Sequence, residues 1–329
     1  MSTSHTYYAS AAKAPVARGP VTPGLALLGG PPEGPPPEVD AAFVWLLAKS
    51  GWGRLVVMGA DGSDEYARYI YGALPPPHPV SVETLIFQSR EAASDPDVLR
   101  TVHGADALFI QGGDQSDYVK MWQGTPVQAA MNHCLERGVP LGGSSAGLAV
   151  LGEFLFSARN GSVSAAEALA NPYDECVTLE RALLDSPHLD APYAFLRNLI
   201  TDSHFHDRRR MGRLLTFMAR LVADGWTSAA RAIAVDELTA VLVEADGLAT
   251  VVDRRPDGQR GSAWFLRAPG AARTCGPAQP LDYEGISVYR IRAGDGPAGF
   301  DLASWQGQGG EGTLVSARQG AVCPTILVE

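Results

Sequence analysis

The sequence predicts an α/β protein built on a doubly wound, mostly parallel sheet, and three observations carry that expectation. Short apolar runs recur at residues 25–28, 55–58, 82–87, 108–110 and 138–141, each about one strand long. Most of them are separated by stretches with helical spacing, and strands alternating with helices indicate a parallel sheet covered on both faces. After the last run comes Gly142-Gly143-Ser144-Ser145-Ala146-Gly147, which leads into Leu148-Ala149-Val150-Leu151 as a strand-to-helix elbow.

Residues 1–23, rich in Ser, Ala, Pro and Gly without periodicity, read as a flexible lead-in, and the catalytic α/β domain is expected over 24–252. The Pro-rich segment 31–37 reads as a loop. Thr125 followed by Pro126 is an N-cap with proline at the first helical position, opening a helix that ends near Gly138. Asn160-Gly161 reads as a hairpin tip joining 154–158 to 162–164. Met211, Leu214, Leu215, Met218, Leu221 and Val222 trace the apolar face of a helix closed by Gly225. From Ala232 the pattern changes to short strands at 232–235, 240–244 and 248–252, with Ala245-Asp246-Gly247 as a turn. It continues at 262–267, 286–291 and 313–315, so 253–329 reads as a small β-rich extension.

The 329 residues carry a net charge of −10, which argues against a general nucleic-acid or anionic-membrane surface. An anion site must then be local. Cys134, Cys176, Cys275 and Cys323 show no metal-ligand spacing, so free thiols are the simpler expectation over a Cys275–Cys323 pair, and no metal or cofactor is expected. No stretch approaches a membrane span and the first twenty residues lack an apolar signal core, so a cytoplasmic location is expected.

The chemistry centres on Ser145. Glycines around it permit a cramped turn, and the helix opening there offers the Ala146 N–H to an oxyanion. One βα unit earlier, Gln111-Gly112-Gly113-Asp114-Gln115 ends a strand at the same sheet edge, and Gly113 can supply the second oxyanion donor. Among 7 histidines, His204 stands out as the base because it ends the run Leu199-Ile200-Thr201-Asp202-Ser203 and is followed by Arg208, Arg209, Arg210 and Arg213; His206 is the reserve. Arginines near a helix N-terminus oppose the helix dipole, which suggests that Arg208, Arg210 and Arg213 capture a carboxylate, while Arg209 reads as a solvated charge. For the acid that orients the imidazole, the candidates lie between Ser145 and His204, Asp185 and Asp190 included; Glu167 is the choice and Asp174 the second.

Taken together, Gly112-Gly113-Asp114-Gln115, the Gly143-Ser144-Ser145-Ala146-Gly147 elbow, and Asp202-Ser203-His204-Phe205 followed by Arg208, Arg210 and Met211-Gly212-Arg213-Leu214 resemble the serine peptidase family of cyanophycinases and aspartyl dipeptidases. The cyanophycinase-like branch is the nearer, and its motifs run from about residue 25 to 243. The resemblance implies a fold like that of class I glutamine amidotransferases, a Ser-His-Glu triad, a homodimer, and hydrolysis after an aspartyl residue. The implied substrate is a small peptide or a cyanophycin-like polymer, from which such enzymes release β-aspartyl-arginine. It also implies that Gln115, Asp202, Arg208, Arg210 and Arg213 line the substrate site. Ser203 stands where cyanophycinases carry glutamine, and Ser144 where threonine is usual.

Three other readings remain at this stage. An α- or isoaspartyl dipeptidase would use the same machinery. An α/β-hydrolase esterase shares Gly-x-Ser-x-Gly and the order serine, acid, histidine. A catalytically silent binding module on the same scaffold would keep the fold without turnover.

Overall fold

The computed structural model describes residues 4–12, 17–32, 40–181, 183–184, 192–254, 260–294 and 296–324. The apolar runs become strands that alternate with helices: β1 (His5–Ala11), β2 (Gly24–Leu28), α1 (Asp40–Lys49), β3 (Arg54–Gly59), α2 (Glu65–Gly72), β4 (Ser81–Phe87), α3 (Pro96–His103), β5 (Ala107–Ile110), α4 (Gln115–Trp122), α5 (Pro126–Glu136) and β6 (Leu141–Ser144). Past the elbow follow α6 (Ala146–Ala149), β7 (Phe154–Phe156), α7 (Ala165–Ala170), β8 (Leu179–Arg181), β9 (Leu199–Asp202), α8 (Met211–Ala223) and β10 (Arg231–Val235). The C-terminal part contributes β11 (Thr239–Glu244), β12 (Leu248–Asp253), β13 (Ser262–Arg267), β14 (Tyr283–Arg292), β15 (Gly299–Asp301), β16 (Gln306–Gln308), β17 (Glu311–Arg318) and β18 (Ala321–Cys323).

Two sheets organise these strands. The first runs β1-β4-β3-β5-β6-β2-β11-β12-β15-β16 and is parallel from β4 through β2. The second runs β18-β17-β14-β13-β10-β9-β7-β8, with β10, β9 and β7 parallel. The expected α/β fold with a parallel sheet core and further β structure is present, but the parallel strands divide between two sheets.

Side-chain alternation shows how the layers stack. In β10, Ile233 and Val235 enter a core shared by both sheets and α3 to α5, whereas Ala232 and Ala234 face a separate core under α7 and α8. In β2, Leu25 and Leu27 join the shared core while Ala26 and Leu28 pack on α1 and α2. The apolar face expected on α8 is buried against its sheet, with Leu214, Leu215, Met218 and Leu221 all inaccessible to solvent.

Several expectations require correction. Residues 5–11, expected to be part of a flexible lead-in, form an edge strand paired antiparallel with β4 over seven residue pairs from His5↔Phe87 to Ala11↔Ser81. They show no apolar signal because no residue of this edge strand is fully buried, one face being partly covered and the other exposed. The boundary expected at 252/253 falls inside β12, and the strands beyond it extend both sheets through β12·β15 and β13·β14 pairing. The hairpin expected around Asn160-Gly161 does not form: β7 pairs instead with β8, and Ser164 caps α7. The fifth parallel strand lies at β6, a few residues beyond the 138–141 run, because Gly138 has φ 72° and closes α5. Residues 33–37 of the proline segment, His188, Asp185 and Asp190 lie outside the described residues.

All four cysteines are free, Cys134 buried and the other three partly exposed. No helix among the described residues is long and apolar enough to cross a membrane.

Asp236, just past β10, ties the second sheet to the loop that carries His204. Its buried carboxylate accepts from the His206 N–H at 3.0 Å, the Ser262 N–H at 2.9 Å and the Trp264 Nε1–H at 3.1 Å. Asp236→Ala leaves these donors unpaired, and a loss of roughly 2–3 kcal/mol is expected; urea unfolding beside wild type measures it, and an unchanged midpoint would contradict the role.

Candidate active site

The parallel strands of a sheet deliver their carboxyl ends to one edge, and here two sheets deliver theirs to one cleft. Ser145 follows β6 of the first sheet, and His204 follows β9 of the second. Ser145 takes φ 53° and ψ −113°, a backbone conformation that costs a non-glycine residue energy and must be held by its surroundings. The holding is close packing: a Cβ on Gly147 would fall 2.0 Å from the Ile110 carbonyl oxygen, and one on Gly143 would fall 2.5 Å from that of Gly147. The Ser145 N–H donates to Leu28 O at 3.0 Å, fastening the elbow to β2.

The serine and histidine meet as the sequence predicts. Ser145 Oγ lies 2.6 Å from His204 Nε2. His204 is also left-handed, with φ 43°, and its N–H donates to Gly29 O at 3.0 Å. Gly30 then passes beneath the pair: a Cβ there would stand 2.6 Å from His204 Nε2 and 2.9 Å from Ser145 Cβ. Gly29-Gly30 is thus part of the site, and its place at the end of the 25–28 run was the available signal.

The carboxylate beside the imidazole is not the one expected. His204 Nδ1 lies 2.7 Å from Glu237 Oε1, so Glu237 holds the imidazole with Nδ1 protonated and Nε2 free to accept from Ser145. Glu167 instead closes a capping box with Ser164 at the start of α7, on the surface. Asp174 accepts from the Cys176 N–H in a local turn, and Glu153 holds Arg181 and the Asn198 N–H. Glu237 lies outside the interval between Ser145 and His204 in which the order serine, acid, histidine places the carboxylate. Parallel pairing of β9 with β10 sets the ends of the two strands side by side, bringing Glu237 to the histidine from 33 residues beyond it.

His204 is buried, and burial followed by the Arg208 and Arg210 charges pushes its pKa down to about 3, against the pull of Asp202 and Asp207. The imidazole is therefore neutral at pH 7, as a base requires. Since the folded state binds this proton less readily than the unfolded chain, the histidine subtracts stability as pH falls from about 6.5 toward the folded value.

The predicted oxyanion donors sit beside Ser145. Ala146 is the first residue of α6, where N–H groups have no helical partner, and Gly113 has φ 151°, with Tyr118 Oη donating to Gln111 O at 2.9 Å and Gly112 O at 2.8 Å to hold the loop. Gly113, Ala146 and Ser145 border a cleft of about 310 Å³ that also takes in Gln115, Asp202, Ser203, Arg208, Arg210 and Arg213. All the expected substrate-side residues are thereby in one place, though not in one role. Arg213 is buried, gives both Nε (2.9 Å) and Nη2 to Asp202, and packs over Phe156 and Phe217. Arg210 donates to Ser203 O at 2.8 Å and borders Asp202 at 3.5 Å, with burial lowering its pKa to about 10. Arg208 is half exposed and 3.5 Å from Glu237. Arg209 is exposed, as read. His206 contributes its backbone N–H to Asp236, and its side chain does not border the cleft.

Replacing the acid discriminates the two assignments. Glu237→Ala is expected to lower kcat about 10²–10⁴-fold, in the range of a lost triad carboxylate, while Glu167→Ala leaves it within about twofold; the reverse pattern in steady-state kinetics would restore Glu167. In the pH profile, kcat/KM is expected to stay level from pH 7 to about 5.5 and fall only below that, with Arg208→Ala moving the acid limb upward by removing a depressing charge. An acid limb at or above about 6.5 would contradict the buried neutral histidine.

Residues 59–173 match the family model described as Peptidase family S51. That segment contains the Gly112-Gly113 loop and Ser145 but stops before His204 and Glu237. The chain is 29% identical to a cyanophycinase of Trichormus variabilis over 223 residues, 65% of this chain and 64% of that protein. It is likewise 29% identical to a cyanophycinase of Synechococcus elongatus over 174 residues, 53% of this chain and 47% of that one. The matches thus span from about half to just under two thirds of these curated relatives. The crystal structure of a peptidase from an acI-B1 Actinobacterium superposes with a TM-score of 0.51, covering 84% of this chain and 97% of that chain at 14% identity, a likeness of fold.

Proposed function

From the premise of a cyanophycinase-like chain with peptidase family S51 sequence over residues 59–173, we propose that the protein is a serine peptidase that cleaves aspartyl-linked peptides through Ser145, His204 and Glu237. The observation that carries the reading is the continuous relay from Ser145 Oγ to His204 Nε2 at 2.6 Å and from Nδ1 to Glu237 at 2.7 Å, opening on a cleft with three arginines.

In this mechanism Ser145 Oγ attacks the carbonyl carbon as its proton passes to His204 Nε2. The carbonyl oxygen takes the electron pair and rests against the Ala146 and Gly113 N–H groups. Collapse breaks the C–N bond, and His204 returns the proton to the departing amine. Water, deprotonated by the same nitrogen, then releases the acyl group and regenerates Ser145. Glu237 stays ionised and stabilises the imidazolium formed in each half-reaction.

The arginines divide the work. Arg208 and Arg210 receive the free carboxylate of the aspartyl residue, while Arg213 fixes Asp202 from behind. A cationic acyl side explains how a chain with net charge −10 selects an acidic acyl group. Cyanophycin is the substrate carried by the relatives, acted on as an exopeptidase that releases β-aspartyl-arginine, and a homodimer is part of the same proposal. The small Ser203 side chain leaves room where the relatives' glutamine would stand, and this favours aspartyl dipeptides as the second substrate.

The test offers cyanophycin, β-aspartyl-arginine and α-aspartyl dipeptides to the wild-type and Ser145→Ala proteins. Wild type is expected to release arginine-containing product at a rate at least about 10³ times that of the variant. Equal rates in the two proteins, or faster turnover of neutral acyl esters than of any aspartyl amide, would overturn the proposal.

A further inference from the structure

The turn that follows His204 and the segment that carries Glu237 hold each other reciprocally. On one side the Asp236 carboxylate accepts from the His206 N–H at 3.0 Å. On the other, the Asp207 carboxylate accepts from the Glu237 N–H at 2.8 Å. Between them the Phe205 N–H donates to Val235 O at 3.2 Å. The two aspartates thus form a clasp, each side chain closing on the main chain of the opposite segment, and the 2.7 Å contact of His204 with Glu237 spans the same two segments.

The halves of the clasp differ in kind. Asp236 is buried and also serves Ser262 and Trp264, so its place in the second sheet accounts for it. Asp207 is exposed and does not border the cleft that holds Ser145 and the arginines. It stands on a turn closed upon itself, in which the Arg208 N–H donates to His204 O at 3.1 Å and the Arg210 N–H to Phe205 O at 2.9 Å. Its carboxylate is therefore carried by the turn that begins at the histidine.

Glu237 needs such a hold. It lies between β10 and β11, outside both strands, and the next residue, Leu238, has φ 53°, a left-handed conformation that is costly for a residue with a Cβ. The Leu238 N–H donates to Gly30 O at 2.9 Å, and Thr239 Oγ1 donates to Glu237 O at 3.1 Å. Asp207 adds the contact at the Glu237 N–H itself. Local charge opposes a carboxylate here: burial pushes the Asp236 pKa up and the Asp207 charge adds to it, against the His206, Trp264 and Ser262 donors. The bond to the main chain is what Asp207 contributes in return.

We propose that Asp207 is a positioning residue for the relay. By fastening the Glu237 main chain to the histidine turn, it sets the distance and direction of the carboxylate toward His204 Nδ1 without touching substrate. Its kinetic consequence rests on the peptidase reading, and its geometric consequence does not.

Two substitutions separate the bond from the charge. Asp207→Ala removes both, whereas Asp207→Asn removes the charge and keeps an oxygen that can accept from the Glu237 N–H. In steady-state kinetics on cyanophycin and the aspartyl dipeptides, Asp207→Ala is expected to lower kcat about 10–100-fold with KM within about twofold, and Asp207→Asn to stay within about threefold of wild type. Proton NMR at neutral pH reads the geometry directly, since an imidazole Nδ1 proton held by a carboxylate resonates far downfield. That signal, identified by its loss in Glu237→Ala, is expected in wild type and Asp207→Asn and is expected to vanish or move upfield in Asp207→Ala. An Asp207→Ala protein with wild-type kcat, an Asp207→Asn protein as slow as Asp207→Ala, or a downfield signal unchanged in Asp207→Ala would overturn the role. A signal lost in Asp207→Ala and kept in Asp207→Asn, in a protein without Ser145-dependent turnover, would instead overturn the peptidase reading and leave the clasp standing.

Discussion

The close approach of three backbone segments around Ser145 is the constraint on which the site depends. Gly147 sits against the end of β5, Gly143 against the turn of the elbow itself, and Gly30 directly beneath Ser145 and His204. Ser145 and His204 both hold left-handed backbone conformations, which only rigid surroundings can sustain. Sheet pairing supplies that rigidity: β6 lies between β5 and β2, and Gly29, just past β2, gives its carbonyl to the His204 N–H. Ser145 and His204 are therefore placed by main-chain contacts, and Glu237 orients the imidazole for the 2.6 Å approach of the two side chains.

A second level of organisation is electrostatic. Asp202 and Arg213 form a buried pair behind the cleft, and Arg210 borders the same carboxylate. Burying such charges is costly unless each is paired, and the value of the pairing here is position. It fixes one guanidinium so that its neighbours can face the cleft. Burial with nearby positive charge keeps His204 neutral, while Glu237 secures its Nδ1 proton. In the proposed mechanism this arrangement yields a base that is free at neutral pH and becomes cationic only when the serine proton arrives, beside a carboxylate ready to stabilise it.

The two sheets explain why this cleft exists. One sheet alone would bring Ser145 and the Gly112-Gly113 loop to its edge, but the histidine and its carboxylate come from the other, past β9 and β10. The shared core of Leu25, Leu27, Leu155, Leu199, Ile233 and Val235 locks the sheets face to face. Asp236 reinforces the same junction, since its carboxylate reaches both the histidine loop and β13. The C-terminal strands are accordingly part of the architecture that aims the proposed catalytic groups.

Much of this was legible along the chain. The parallel strands through residue 110, α5, α8, and the strands β10 to β14 and β17 are written in local periodicity and in turn residues, whereas the three-residue strands β15, β16 and β18 are too short to show a period. Ser145, Gly113, Ala146 and His204 were legible for a related reason: glycine is demanded wherever backbone must approach backbone, and the positions just past parallel strands share an edge. The edge strand β1 was not legible, since none of its residues is fully buried. Nor was Glu237, and the reason is topological. Residues 205–235 leave the cleft, cross as α8 and return as β10, and only the parallel pairing of β9 with β10 sets the carboxylate against the imidazole. The sequence determined which side chains stand at strand ends, because that is a property of local pattern. Tertiary structure alone decided which of those ends are neighbours, because adjacency in a sheet is independent of distance along the chain.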